Sequence, residues 1–106
     1  METLLYDDVR FVYLIINEYL NNKITEKQFC DEFRASYDLE IDLYALDSKE
    51  YEALHELGEV AGRFSPYDED HIESPGVLYT KQELAAKILE TKFKLMKIHP
   101  EYFERE

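Results

Sequence analysis

Glu52, His55, Glu56 and Glu59 fall on neighbouring turns of any helix that spans them, and His55 with Glu59, four apart, has the spacing of one edge of a metal site. The run His55-Glu56-Leu57-Gly58-Glu59 imitates the zinc-protease H-E-x-x-H pattern but ends in glutamate. A third ligand and an open position cannot be placed, so a solvated acidic face with one histidine is the simpler account. Asp68-Glu69-Asp70 invites calcium, yet an EF-hand loop needs glycine at its sixth position and glutamate at its twelfth. Counted from Asp68, those positions hold Glu73 and Tyr79. Cys30, between Phe29 and Phe33 on an apolar helix face, reads as a small buried hydrophobe rather than a nucleophile. Glycine-rich phosphate loops, dinucleotide fingerprints and nucleophile elbows do not occur. Acid–base work by paired carboxylates would need burial to separate their pKa values, and no pair is set in an apolar surround. The expectation is a protein that is not an enzyme and holds no cofactor or metal.

What the acids offer instead is a field. Between Asp38 and Glu73 stand twelve acidic residues opposed only by Lys49 and Arg63, a net −10 out of −12 for the whole chain. The segment from Lys81 to Ile98 is the reverse, its five lysines outnumbering Glu83 and Glu90. Segregation of this kind suits a directed interface with a basic partner better than it suits general solubility. Tyr44, Tyr51, Tyr67 and Tyr79 lie within or beside the acidic third. Tyrosine brings a large rigid contact area with a polar tip. Carboxylates interleaved with tyrosines can imitate phosphates interleaved with bases and so fill a basic nucleic-acid-binding cleft. Direct binding of nucleic acid or of an anionic membrane is not expected at a pI near 4.6, since phosphate contacts need cations.

Four helices are expected to position these groups. The first runs from about Leu4 to Leu20, with Thr3 a candidate N-cap and Leu5, Val9, Val12, Ile16 and Tyr19 on one stripe that Phe11, Leu14 and Ile15 widen. Asn21-Asn22-Lys23 stops it. Thr25-Glu26-Lys27-Gln28 reads as a capping box opening a second helix to about Tyr37, with Phe29, Cys30, Phe33 and Tyr37 inward. Residues 38–46 lack helical phasing and read as a loop. Asp47 or Ser48 caps a third helix to about Phe64, with Tyr51, Leu54, Leu57, Ala61 and Phe64 inward and Gly58 and Gly62 marking a close approach of another helix or of a partner. Ser65 to Tyr79 is the longest irregular segment. Thr80-Lys81-Gln82-Glu83 is a second capping box, and the last helix runs to about Ile98 with Leu84, Ala85, Ile88, Leu89, Phe93, Leu95 and Met96 as its apolar face. The expected fold is all-α, an antiparallel four-helix bundle with an ordered acidic loop between its third and fourth helices, forming one domain over residues 1–106.

At 106 residues a chain can bury a single core without staples, and its lone cysteine excludes an intramolecular disulfide. Met1-Glu2-Thr3 lacks the basic start and long apolar core of a secretion signal, and the run from Phe11 to Ile16 is too short to span a bilayer. A soluble cytoplasmic protein is expected.

Three stretches carry a resemblance: Asn22-Lys23-Ile24-Thr25-Glu26-Lys27-Gln28-Phe29, then Ala61-Gly62-Arg63-Phe64-Ser65-Pro66-Tyr67-Asp68-Glu69-Asp70, then Glu83-Leu84. Over about Leu14 to Leu95 the chain resembles the colicin D-type immunity family, which includes immunity proteins of contact-dependent growth inhibition systems. The resemblance implies a small acidic four-helix protein that protects a bacterium from its own tRNA-cleaving toxin by covering the basic active-site cleft. It also implies acidic contacts at the end of the third helix and in the turn beyond. Here Gly62, Ser65 and Tyr67 stand where such acids are expected, and acids crowd instead at Asp68, Glu69 and Asp70.

The function expected is therefore neutralisation of a ribonuclease toxin in a heterodimer. Asp68, Glu69 and Asp70, with Glu56 and Glu59 on the preceding helix, would meet the basic cleft, and Tyr67 would anchor the contact. The alternative is an acidic adaptor or chaperone, or a DNA-mimic inhibitor, that shields another basic protein. An enzyme or metal protein built on Glu52, His55 and Glu59 is the third reading.

Overall fold

The computed structural model describes residues 8–38 and 41–103, and every described element is helical. Helix α1 spans Val9–Leu20, α2 Glu26–Phe33, α3 Ser48–Gly62, α4 Asp68–Glu73 and α5 Lys81–Met96. One π turn, Arg34–Asp38, prolongs α2, and single 3₁₀ turns occupy Leu43–Ala45 and Pro100–Phe103. The candidate cap Thr3 and the stripe residue Leu5 lie outside the described residues.

The helix starts follow from side chains that replace the missing intrahelical acceptors. Asp8 caps α1 by accepting from the Arg10 amide at 2.9 Å. Both expected capping boxes form: Thr25 accepts from the Gln28 amide at 3.1 Å while Gln28 accepts from the Thr25 amide at 2.8 Å. Thr80 and Glu83 do the same for α5 at 3.2 and 2.9 Å. Asp47, rather than Ser48, caps α3. Asn22 ends the α1 connection with φ of 61°, a left-handed conformation that asparagine tolerates.

The segment expected to be an acidic loop contains a helix. Asp68, Glu69 and Asp70 fill the first turn of α4, where their charges oppose the positive end of its dipole. The whole excursion is closed at its base: Tyr79 donates its amide to the Arg63 carbonyl at 2.7 Å, and Ser65 donates to the Tyr79 carbonyl at 3.1 Å. These two bonds bring Phe64 and Tyr79 side by side as a parallel bridge.

The core is assembled by α3 packing on α5, α1 on α2 and α5, and the C-terminal 3₁₀ turn on α1 and α5. Val12, Ile16, Phe29, Leu54, Leu57, Leu84, Ile88 and Leu95 are fully buried. Phe29, Phe33 and Tyr37 stack in series, with centroids 5.8 and 5.1 Å apart. A Cβ at Gly58 would touch Phe33 at 3.5 Å and Tyr37 at 3.7 Å, so the close approach expected there is α2 and its π turn against α3. A Cβ at Gly62 would meet nothing within 4 Å.

Three inward assignments change. Tyr13, off the expected stripe, is fully buried, whereas Leu14 faces outward. Tyr51 is partly exposed and stacks on His55, with centroids 5.6 Å apart. On α5 Leu84, Ile88 and Leu95 are buried together with Thr91, while Leu89, Phe93 and Met96 remain exposed. No described helix is long and apolar enough to cross a membrane.

Candidate protein-interaction surface

The structure sorts the acidic third into separate roles. Tyr67, Asp68, Glu69 and Asp70 come together on the first turn of α4 and its cap. Tyr67 is 59% exposed, and Asp68, Glu69 and Glu73 are exposed with no ion pair among the described residues. Asp70 is tied inward instead. Its Oδ2 accepts from the Ser65 hydroxyl at 2.6 Å, while Ser65 Oγ accepts from the Tyr67 amide at 3.2 Å and His71 Nε2 donates to the Ser65 carbonyl at 2.9 Å. Asp70 thus shapes the turn that presents its neighbours.

Glu59 stands on the outer face of α3, 3.9 Å from His55 Nε2. Glu56 turns toward α5, where its Oε1 accepts from Lys87 and Lys94 at 3.0 Å each. Glu90 pairs with the same two lysines at 2.7 and 3.2 Å, so two acids and two bases neutralise one another across the α3–α5 seam. Hydrogen bonds from Lys87 and Lys94 hold the Glu56 carboxyl down to about 2. Glu56 therefore adds little to the negative field, and Glu59 and the α4 acids carry more of it.

Glu50 leaves the surface altogether. It is 2% exposed and accepts a hydrogen bond from the Tyr13 hydroxyl, with His99 Nε2 3.8 Å away. His99 stacks on Tyr102 at 4.4 Å, and Tyr102 meets Tyr13 edge-on at 4.9 Å. Burial first, and then Glu50, pushes the Tyr13 hydroxyl far above its ordinary range, so it stays a donor. A signal for this cluster was present: Glu50 lies four residues before Leu54 and seven before Leu57, on the inward stripe of α3.

Beside Tyr67 an open groove of about 500 Å³ runs between α2 and the end of α3, lined among others by Lys27, Cys30, Arg34, Gly62 and Phe64. Gly62, expected to mark the close approach of another helix or of a partner, has no described helix against it and lines the groove. Burial foremost, with Asp31 and Glu26 adding, pushes the Cys30 thiol up to about 12, so it remains protonated and a weak nucleophile. Among the described residues no group of three His, Cys, Asp or Glu could hold a metal ion. The chemistry the surface offers is recognition: carboxylates and a tyrosine on a braced turn, next to a recess.

Comparison with protein-family models, with characterised proteins and with solved structures finds no match to this chain.

Proposed function

We propose that this chain is an immunity-type inhibitor that binds a basic ribonuclease toxin, a tRNase, and keeps substrate out of its cleft. The four longer helices serve as an antiparallel bundle that carries the contact turn, and the inhibitor acts in the cytoplasm as one half of a heterodimer. The observation that supports this most is the turn at 67–73, where an exposed tyrosine and exposed acids project from an excursion closed by two backbone hydrogen bonds. Asp68, Glu69 and Glu59 occupy phosphate positions of the cleft, Tyr67 takes the place of a base, and Asp70 holds the turn in shape. Glu56, already paired with two lysines, contributes less. Charges of this sort chiefly raise the association rate, and those that become fully buried also slow dissociation.

The test is calorimetric titration of the chain into a purified tRNase toxin domain, that of a toxin gene directly upstream where the genome holds one, paired with a tRNA-cleavage assay. Binding with loss of cleavage is expected. Asp68→Lys with Glu69→Lys should lower the affinity by at least about tenfold, as expected when like charges meet across an interface, whereas Glu56→Gln should change it little. Absence of binding at low ionic strength would refute the proposal, and capture of a non-nuclease basic protein instead would favour a shielding adaptor.

A further inference from the structure

Helix α5 has two apolar seams. Leu84, Ile88 and Leu95 fill the core. On the opposite side Gln82, Ala86, Leu89, Phe93 and Met96 recur at steps of four, three, four and three residues, the spacing by which one helix packs along another. Leu89, Phe93 and Met96 are 44, 59 and 40% exposed, and Gln82 and Ala86 are exposed with them. The neighbouring lysines leave this seam uncovered. Lys87 and Lys94 reach to Glu56 on α3, and Lys92 sits 5.5 Å from the centroid of the Phe103 ring.

We propose that a second copy of this chain covers the seam, in an antiparallel two-fold pairing of α5 with α5. The inference goes beyond the inhibitor reading and does not depend on it. Charge selects the occupant. Glu83, Glu90 and Lys97 follow one another at seven-residue steps along one flank of the seam. In an antiparallel pair centred on Glu90, each Glu83 meets Lys97 of the other copy. A parallel pair would instead set this flank against Ala85 and Lys92 of the other copy, bringing Lys97 beside Lys92.

The two Glu90 side chains at the centre are each neutralised by Lys87 and Lys94 of their own copy, at 2.7 and 3.2 Å. Phe93 of each copy then lies over Ala86 of the other, where a small side chain leaves room. Such a contact is isologous, so it closes at two copies. Sixteen residues of helix span about 24 Å, which places the contact at the small end of interfaces and makes the dimer concentration-dependent.

Sedimentation velocity on the full chain, from about 10 μM to about 1 mM, spans the dissociation constants expected of so small a contact. The expected result is a shift with concentration from 12.7 kDa toward twice that mass. Phe93→Glu should weaken dimerisation about 100-fold, as loss of a buried aromatic contact implies. Lys97→Glu should weaken it as well, and adding Glu83→Lys should restore it. Circular dichroism checks helicity, and Leu89→Lys replaces Phe93→Glu if that variant fails to fold. A wild-type chain that stays monomeric throughout overturns the proposal, as does a Phe93→Glu or Leu89→Lys variant that pairs as well as wild type. Failure of the charge swap to rescue overturns the antiparallel register. A monomer whose seam becomes protected only on adding the nuclease domain assigns the seam to that partner and overturns the self-pairing.

Discussion

Glu50 occupies a place in the core that a leucine would fill on pattern alone, and it is tolerable there because the Tyr13 hydroxyl donates to it and His99 lies within 3.8 Å. Removing one member of such a set leaves the other buried and unsatisfied. Glu50→Ala should therefore cost about 2–4 kcal/mol of stability in chemical denaturation, with a smaller loss for Glu50→Gln, which keeps an acceptor for Tyr13. Equal stability of Glu50→Ala and wild type would show that the cluster contributes nothing. Glu56 behaves differently because it is half-exposed and paired. Its carboxyl falls from an ordinary 4.5 to about 2 in the folded chain, so its contribution is present above about pH 4.5 and is lost as pH falls through about 2. Solvent screening keeps that contribution below about 1 kcal/mol. Denaturation midpoints of wild type and Glu56→Gln should converge across that window, and a constant gap between them would argue against the pairing.

At the scale of elements, the structure is set by how each helix begins and by what each presses on. Gly58 is the clearest case. A Cβ there would reach Phe33 and Tyr37 at ordinary van der Waals distance, so Gly58→Ala gains helix propensity without a clash and should stabilise α3 by about 0.5–1 kcal/mol. Gly58→Leu should destabilise relative to Gly58→Ala, because its longer side chain must pass Phe33 and Tyr37, which already stand 3.5 and 3.7 Å from the Cβ position. Thermal melts of the two variants decide the matter, and a destabilised Gly58→Ala would mean that the rings sit closer than described. The helix starts at Thr25 and Thr80 could be read from the chain because a capping box is local, four residues deciding the outcome. Helix α4 could not, since six residues are too few to show a period and their acids resemble those of a loop. The two seams of α5 were merged for a related reason: periodicity reports that a position is apolar, but not which side finds a neighbour.

For the whole molecule, the separation of charge was legible as composition, while its distribution in space was not. Glu50 faces inward, and Glu56 is cancelled by lysines 31 and 38 residues away in the chain, which only tertiary contact brings near. The field that remains comes chiefly from the outer face of α3 and from α4. Binding of a basic protein to that face should therefore be strongly salt-dependent. Stopped-flow association should slow by about 10- to 100-fold between low ionic strength and 0.5 M salt, with a much smaller change in dissociation. A rate indifferent to salt would mean that apolar contacts, rather than the acids, bring the partner in.

The bridge between Phe64 and Tyr79 has an evolutionary consequence. Its two hydrogen bonds join main-chain atoms and consult no side chain, so the insert they enclose behaves as a cassette. Within it, Asp70 and His71 hold Ser65, and the remaining positions of residues 66–78 are the ones expected to accept replacement with least effect on the helices beneath. Under the proposed function, a change of target is therefore expected to be written in that insert before it is written anywhere in the helices.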